Sequence, residues 1–278
     1  MSKKRDKVIS YLRKIGVDEQ HPVFSTTLQY FCDLSESRNL DIYSYLSDFV
    51  NFAGKVVLEV GSGSGSFVRY LREKGIEAYG IEIVPELASL TKDVVCGDAL
   101  KPPFREGSFD IVIAVDVIEH VEDQFLLIKK AVQLLRVGGI AFFIANNFLL
   151  PYDFDSKLFF IHWLPRPIAD RYFRWRRRNS LVAKKYSVNF PHYLKLRKWK
   201  NSLDSSTFEA NIDGTFRILG ILSKRLARLR FLFDFIDNMG KSRFSFIKLF
   251  APKLCFIIKR KNTVTCTHYD VIPEGKLV

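Results

Sequence analysis

Three glycines alternate with serines directly after a short apolar run, and this turn is the first part of the sequence that could bind a cofactor. The run Val56–Val60 leads straight into Gly61, Gly63 and Gly65. Glycines here allow a tight turn at a strand end and let a ligand approach the backbone without intervening side chains. A turn that binds no ligand needs only one or two of them. The spacing fits a dinucleotide site, in which Ser66 would replace a third glycine or alanine, and it also fits other adenosine cofactors.

Three carboxylates stand where an adenosine cofactor would need acceptors or negative charge. Glu59 precedes the first glycine by two residues, Glu82 lies at the end of a second apolar run, and Asp98 follows a third. Glu82 can accept hydrogen bonds from both ribose hydroxyls, whichever nucleoside is bound. Residues 1–150 contain 17 Lys and Arg against 20 Asp and Glu, and this acidic half suits the pyrophosphate of a dinucleotide poorly. Asp98 could equally cap a turn.

The elements that must position these residues are short apolar runs separated by helical stretches, which is typical of βαβ units on a parallel sheet. We predict five such strands. They are Val56–Val60, Ala78–Ile83, Val94–Cys96, Phe109–Val115 and Ile140–Asn146. Two later segments, Thr207–Ile212 and Lys253–Arg260, could complete the sheet.

Helices are predicted between these strands. They begin near Ser66, Pro85 and Gln124, and the last of them is expected to end before Gly138 and Gly139, because glycine commonly follows a helix C-terminus. A further helix is predicted over 219–236, where apolar residues recur at spacings of 3 and 4 with basic residues off that stripe. This helix could face the core or lie on a membrane surface.

At these positions the sequence resembles the class I S-adenosylmethionine-dependent methyltransferases, in particular the type 11 group that contains quinone-pathway enzymes. Six ordered landmarks within about residues 53–147 carry the resemblance. They are Glu59 with the glycine turn, Glu82, Gly97-Asp98-Ala99, Phe104–Asp110, Asp116–Val121 and Leu135–Gly139. The resemblance implies a doubly wound, Rossmann-like α/β fold with a seven-stranded, mostly parallel sheet. It also implies methyltransferase activity with S-adenosyl-L-methionine as the cofactor.

The resemblance further implies which residues hold that cofactor. Glu59 and Gly61 would hold the methionine part, whose ammonium and sulfonium are cationic and suit an acidic rim. Asp98 would receive the adenine amino group beside the Ala99 backbone. The predicted cofactor-binding residues are Glu59, Gly61, Ser62, Gly63, Gly65, Glu82, Ile83, Asp98, Ala99, Val115 and Asp116.

His120 is the predicted catalytic residue. It follows the fourth strand at the carboxyl edge of the sheet, and an imidazole can deprotonate a hydroxyl near neutral pH. A purely structural role under the loop is the alternative. Asp116, Glu119 and His120 also resemble the Glu-x-x-Glu-His segment of metal-dependent O-methyltransferases, but Asp replaces the first Glu, and we predict no metal. No Asn-Pro-Pro-Tyr or Asp-Pro-Pro-Tyr segment follows this strand, so oxygen is the predicted acceptor atom.

The second half of the chain is strongly basic. Residues 151–278 contain 26 Lys and Arg against 10 Asp and Glu, and they interleave aromatic with basic residues at Phe159–Pro165 and Arg171–Arg178. Such a surface suits either single-stranded nucleic acid or an anionic membrane, although a solvated basic helix covering the sheet would look the same. Phe159–Pro165 resembles a segment of methyltransferases that accompany surface-polysaccharide synthesis, which implies glycan or lipid-linked acceptors.

We therefore predict three regions: a helical N-terminal lid at 1–54, a cofactor-binding core at 55–150, and a basic, acceptor-selecting region at 151–278 that includes the last two strands. The four cysteines show no metal or disulfide spacing, and neither a secretory signal nor a transmembrane stretch is evident. These features predict a cytoplasmic enzyme, peripheral at the inner face of the membrane, that O-methylates a small or lipid-linked, glycan or quinone-like acceptor. An RNA methyltransferase and a non-catalytic cofactor-binding scaffold are the alternatives.

Overall fold

The fold is seen in a computed structural model that describes residues 2–14, 19–20, 24, 28, 36–149, 152–153, 158–176, 193–215 and 253–262. The helix predicted over 219–236 and the end of the Arg171–Arg178 cluster lie outside the described residues.

The described strands form a seven-stranded sheet and a separate two-stranded hairpin. The strands are β1 Val56–Val60, β2 Glu77–Glu82, β3 Val94–Cys96, β4 Phe109–Val115, β5 Leu135–Asn146, β6 Tyr152–Asp153, β7 Leu158–Phe159, β8 Phe208–Thr215 and β9 Lys253–Arg260. The sheet order is β3-β2-β1-β4-β5-β9-β8. β9 is antiparallel to both of its neighbours, β5 and β8, and the five strands β1 to β5 are parallel to one another. The predicted doubly wound, mostly parallel sheet is confirmed.

Helices cover the sheet and complete the βαβ units. They are α1 Ser2–Lys14, α2 Glu36–Ser47, α3 Ser66–Glu73, α4 Pro85–Ala88, α5 Gln124–Gln133, α6 Arg166–Arg176 and α7 Tyr193–Ser202. Among the helices that the structure describes, none has the length and apolar character needed to cross a bilayer.

The strands read as continuous apolar runs because both faces of the sheet are covered. One buried cluster includes Leu58, Val112 and Phe256, and the cluster on the other face includes Val57 and Phe142. This two-sided burial is the usual environment of parallel strands between helices. It holds the carboxyl ends of β1, β2 and β4 at one edge, where ligands of open α/β folds bind.

α5 ends before Gly138 and Gly139 as predicted, but the expectation that these glycines follow directly on its C-terminus is wrong. The helix ends at Gln133, and β5 already begins at Leu135, so both glycines lie inside the strand. The pairing of β4 with β5 shifts register there, and Gly138 has a φ of 79°. A Cβ on Gly139 would lie 2.9 Å from the carbonyl oxygen of Arg136. The glycines therefore permit an irregularity in the strand and do not stop the helix.

The N-terminal helix α2 lies beside the glycine turn. The Asn39 side chain donates a hydrogen bond to the carbonyl oxygen of Ser66, the first residue of α3, at 3.4 Å. Ile42 and Leu46 are buried in the same cluster as Val57. Residues of α2 are therefore held against the predicted cofactor edge, which is compatible with the lid predicted for residues 1–54.

Candidate functional site

The three glycines of the turn have left-handed backbone conformations, but the space around them differs. Their φ angles are 67° at Gly61, 54° at Gly63 and 71° at Gly65. A Cβ would lie 2.4 Å from Val117 at Gly61 and 2.7 Å from Thr91 at Gly65, whereas at Gly63 it would meet no atom within 4 Å. Gly61 and Gly65 are thus required by both conformation and packing, and Gly63 leaves open space where a ligand can approach the backbone.

Glu82, the last residue of β2, is fixed against this turn by two backbone hydrogen bonds. Its Oε2 accepts from the Gly63 amide at 2.8 Å, and its Oε1 accepts from the Val84 amide at 3.0 Å. Each carboxylate oxygen can accept a further bond. The neighbouring Ile83 is 66% exposed although it is a large apolar residue. The turn therefore presents an oriented carboxylate beside an uncovered apolar side chain.

Glu59 is a buried carboxylate on β1, one residue from the end of the strand. Burial raises its pKa to about 8, and Glu82 adds to the rise, while Arg38 and a hydrogen bond from the Val68 backbone oppose it. Its Oε2 is buried and has no hydrogen-bond partner among the described residues. A buried carboxylate whose charge is only partly compensated is costly. Glu59 is thus protonated at neutral pH in the empty protein and would ionise beside a bound cation.

The remaining predicted cofactor residues that follow the first and third strands occupy different environments. Ser62 faces β2, because a Cβ on Gly80 would lie 2.5 Å from its hydroxyl oxygen. Asp98 is exposed, and its Oδ1 accepts a hydrogen bond from the Leu100 amide at 2.8 Å. Asp98 therefore does cap a turn. Its neighbour Ala99 is half-buried at the same end of the sheet.

Asp116 follows buried Val115 at the end of β4 and is held by two cations. It has a φ of 57°, which is unusual for a residue with a side chain. Lys253 donates to its Oδ1, and Arg38 lies 3.4 Å from its Oδ2. Burial pushes the pKa of Asp116 up, but Lys253 and Arg38 outweigh burial and bring the pKa below its ordinary value. Asp116 is therefore an ionised carboxylate.

Sequence reasoning did not find Arg38 or Lys253. They lie 78 and 137 residues from Asp116 along the chain. Lys253 reaches the site because β9 is antiparallel and begins at the edge where the parallel strands end, opposite Asn146 of β5. A lone Lys at the start of an apolar run carries no recognisable signal.

His120 ends a short 3-10 turn after β4 and is accessible to solvent. Partial desolvation lowers its pKa below the ordinary value; Asp116 opposes this shift, and Lys253 adds to it. The imidazole is therefore neutral at pH 7 and able to accept a proton.

The alternative metal triplet is not assembled. Glu119 is only 1% exposed, while Asp116 faces Lys253 and Arg38. Within the part of the chain that the structure describes, no three His, Cys, Asp or Glu side chains are grouped so that they could hold a metal ion.

The sequence is similar to known methyltransferases. A family model described as a methyltransferase domain matches residues 58–143. An uncharacterized methyltransferase of Mycobacterium sp. (strain JLS) is 31% identical over 128 residues, covering 44% of this chain and 50% of that protein. The ubiquinone biosynthesis O-methyltransferase of Pseudomonas fluorescens (strain SBW25) is 29% identical over 116 residues, covering 37% and 50%. The chain thus spans about half the length of these curated relatives.

A solved structure shows the same fold. Phosphoethanolamine N-methyltransferase 2 of Haemonchus contortus, in complex with S-adenosyl-L-methionine, matches with a TM-score of 0.54 and 15% identity, covering 91% of this chain and 59% of that chain. At this identity the match speaks for the fold.

Proposed function

We propose that this chain, which carries a class I S-adenosylmethionine-dependent methyltransferase domain, uses S-adenosylmethionine to O-methylate a small or lipid-linked acceptor. The observation that carries the proposal is the buried Glu59 carboxylate beside the open glycine turn. A raised pKa at a buried, uncompensated group is typical of a functional site. The cofactor's ammonium would supply the missing positive charge.

The predicted cofactor residues can be assigned parts of the cofactor on this geometry. The two Glu82 oxygens would accept the ribose hydroxyls while keeping their bonds to Gly63 and Val84. The adenine would cover the exposed face of Ile83, near Asp98. The methionine part would pass Gly63 toward Glu59, which leaves the sulfonium methyl directed to the end of β4.

Methyl transfer from a sulfonium is an in-line displacement. The acceptor oxygen forms a bond to the methyl carbon as the carbon–sulfur bond breaks, and the hydroxyl proton must leave. His120, neutral and at the end of β4, would take that proton. The rest of the catalytic effect comes from holding the oxygen in line and from excluding water. The similar proteins include O- and N-methyltransferases, so the choice of oxygen rests on His120 and on the absent Asn-Pro-Pro-Tyr segment.

Replacing His120 with Gln is expected to lower the methylation rate by about 100-fold or more, because general-base catalysis contributes that much. Since the pKa of His120 is lowered from 6.5, the native rate at saturating cofactor should be level from pH 7 upward and fall at acid pH as the imidazole gains a proton. The assay is transfer of tritiated methyl groups to a cell extract. The affinity for S-adenosylhomocysteine, measured by calorimetry, should not change. A rate within threefold of native would remove His120 from the mechanism.

The same extract assay tests the proposed function as a whole. The labelled product is separated into lipid, glycan, RNA and protein fractions. Label in the lipid or glycan fraction is the expected result. Label in RNA would favour the RNA methyltransferase alternative, and binding of the cofactor without label in any fraction would favour the scaffold alternative.

An exposed aromatic and basic surface supports a place at the inner membrane face. We define the aromatic–basic surface by its exposed apolar side chains and arginines, which are Phe159, Phe160, Trp163, Ile168, Trp175, Arg171, Arg174 and Arg176. Ile168, Tyr172 and Trp175 follow one another at helical spacing on α6, so they share one side of it. Aromatic anchors combined with arginines suit the headgroup region of an anionic bilayer.

The aromatic–basic surface adjoins the acceptor side of the sheet. A small core of its own, which includes Leu158, Ile161 and Phe173, supports it from below. The indole nitrogen of Trp163 donates to the Phe148 carbonyl oxygen at 2.9 Å, two residues beyond the end of β5. Docking on a membrane through this surface would bring the carboxyl edge of the sheet close to lipid-linked acceptors.

Replacing Ile168 and Trp175 together with Ser is expected to weaken binding to phosphatidylglycerol vesicles at least about tenfold, because each buried apolar side chain contributes about 1.5 kcal/mol or more. Vesicle sedimentation measures this. Leu194→Ser is the matched control, since Leu194 has the same exposed fraction as Trp175, 66%, but lies on α7. Equal weakening by the control, or equal binding to pure phosphatidylcholine, would count against docking through this surface.

A further inference from the structure

The N-terminal helix α1 packs beside the cofactor edge, on the short helix α4 that follows β2. The Lys7 ammonium donates to the carbonyl oxygen of Ser89 at 2.9 Å, and the Lys14 ammonium donates to the Glu86 carboxylate at 2.8 Å. Along α1 the chain therefore passes from the end of α4 toward its beginning. Because α4 begins directly after Ile83 and Val84, the C-terminal half of α1 lies next to the nucleoside end of the proposed cofactor site.

A small apolar core fixes α1 in this position. Val8 and Leu12 are fully buried in it, together with buried Leu28 and the partly buried Leu90, which follows α4. This core is separate from the two clusters that flank the sheet. Since α1 is held by contacts of its own, a change within them can displace the helix without opening the core of the sheet.

Tyr11 is the α1 side chain best placed to reach the site. Residues three and four positions apart are neighbours on a helix, so Tyr11 lies on the same face as Lys7 and Lys14, between the two contacts to α4. Its ring packs against the apolar core of α1 and is only partly buried. Burial raises the pKa of the Tyr11 phenol, and the negative charges of Glu82 and Glu86 add to the rise. This effect of the two carboxylates agrees with the position that the contacts to α4 give to Tyr11.

From this packing we infer that Tyr11 binds the nucleoside of the cofactor, with its ring forming the outer wall of the pocket for ribose and adenine. The inference rests on the proposed function and deepens it, because it adds the N-terminal helix to the cofactor site. Glu82 and Ile83 hold the nucleoside from the side of the sheet, and Tyr11 covers it from the side of the solvent. An apolar cover excludes water, which strengthens the hydrogen bonds between the ribose and the Glu82 carboxylate. Bound nucleoside in turn stabilises the docked position of α1.

The inference is tested by amide hydrogen exchange of the native protein with and without 5′-methylthioadenosine, which has the nucleoside but no amino-acid part. With ligand at about 100 times its Kd, the amides of α1 are expected to exchange at least about tenfold more slowly, because α1 can undock only after it loses its contacts with the ligand. Exchange by local opening in α7, which packs on β8, is the internal reference and should not change.

Tyr11→Ala is expected to bind 5′-methylthioadenosine and S-adenosylhomocysteine at least about tenfold more weakly in calorimetry, because the contact between ring and nucleoside is lost. Without ligand its α1 amides should exchange as in native protein, since Val8 and Leu12 keep the helix docked. Tyr11→Phe keeps the ring and should bind within about threefold of native. The matched control is Arg13→Ala, an exposed residue of α1 on another side of the helix, which should bind both ligands normally.

A second variant tests the docking of α1 itself. Leu12→Asp disrupts the apolar core of α1 and should weaken both ligands as Tyr11→Ala does, while exchange in β4 and β5 stays native. Native affinity of Tyr11→Ala for 5′-methylthioadenosine, or unchanged exchange of α1 in native protein with bound ligand, would overturn the inference and leave the proposed function standing. Failure of native protein to bind either ligand would overturn the proposed function and the inference with it.

Discussion

Replacing Glu59 with Gln is expected to make the empty protein more stable above pH 8 and to weaken cofactor binding at the same time. The pKa of Glu59 is raised by burial from 4.5 to about 8, so between these pH values the folded protein holds a proton that the unfolded chain has released. Stability from this proton is complete below pH 4.5 and is lost as the pH rises through 8. Gln cannot ionise, so the variant does not lose this stability at high pH.

The size of the stability effect follows from the shift. Each pKa unit corresponds to about 1.4 kcal/mol, which sets an upper limit of about 5 kcal/mol for the rise at Glu59. Local relaxation reduces this, and we expect Glu59→Gln to raise the free energy of unfolding by about 3 kcal/mol at pH 9 and by little at pH 5. Urea unfolding at both pH values measures the difference. A variant that is less stable than native at pH 9 would contradict the buried, uncompensated state of Glu59.

Cofactor binding by Glu59→Gln should show the complementary loss. The ammonium favours ionised Glu59, so native protein must release a proton to bind S-adenosylhomocysteine below pH 8. Its affinity should therefore rise up to about tenfold per pH unit toward pH 8 and then level off. The variant should bind about 100-fold more weakly at pH 8, with little pH dependence, because a charge-assisted bond is lost. The control probe is 5′-methylthioadenosine, which lacks the amino-acid part and should bind both proteins equally.

Replacing Glu82 with Ala is expected to weaken S-adenosylhomocysteine and 5′-methylthioadenosine alike, by about 100-fold or more. The change removes the acceptor for two ribose hydroxyls, each worth about 1.5 kcal/mol or more as a bond to a charged group. It also leaves the Gly63 and Val84 amides without their acceptor, so the glycine turn loses its fixed position. Calorimetry with both ligands measures the effect.

The matched control for this change is Glu77→Ala, at the exposed first residue of the same strand, which should bind both ligands normally. If Glu82→Ala binds 5′-methylthioadenosine with native affinity, the ribose does not bind at Glu82. Together the two glutamate variants separate the nucleoside end of the cofactor from its amino-acid end.

The sequence was sufficient to predict those parts of the structure that follow from the local pattern of apolar residues and glycines. The bounds of β1, β3, β4 and β9 are those predicted from their apolar runs. In β1 and β4 nearly every residue is buried, so no exposed polar position obscures where these strands begin and end. The glycine turn and Glu82 could also be predicted, because the turn directly follows β1 and Glu82 is the last residue of β2. Their roles toward the cofactor stay predictions.

Features that depend on packing between distant parts of the chain could not be predicted from the sequence. Arg38 and Lys253 reach Asp116 only because α2 packs near the glycine turn and β9 enters the sheet in the antiparallel direction. Gly138 and Gly139 were misread because a glycine pair has the same appearance after a helix and at an irregular strand. The protonation of Glu59 could not be predicted from the sequence either, since it arises from the burial of the side chain in the fold.

The most direct test of the account is calorimetry of the purified protein with S-adenosylmethionine, S-adenosylhomocysteine and NADH. The account predicts one-to-one binding of the first two, with a heat at pH 7 that depends on the buffer because Glu59 releases its proton. It predicts no heat from NADH. Absence of heat from both sulfur compounds, together with a clear signal from NADH, would contradict it.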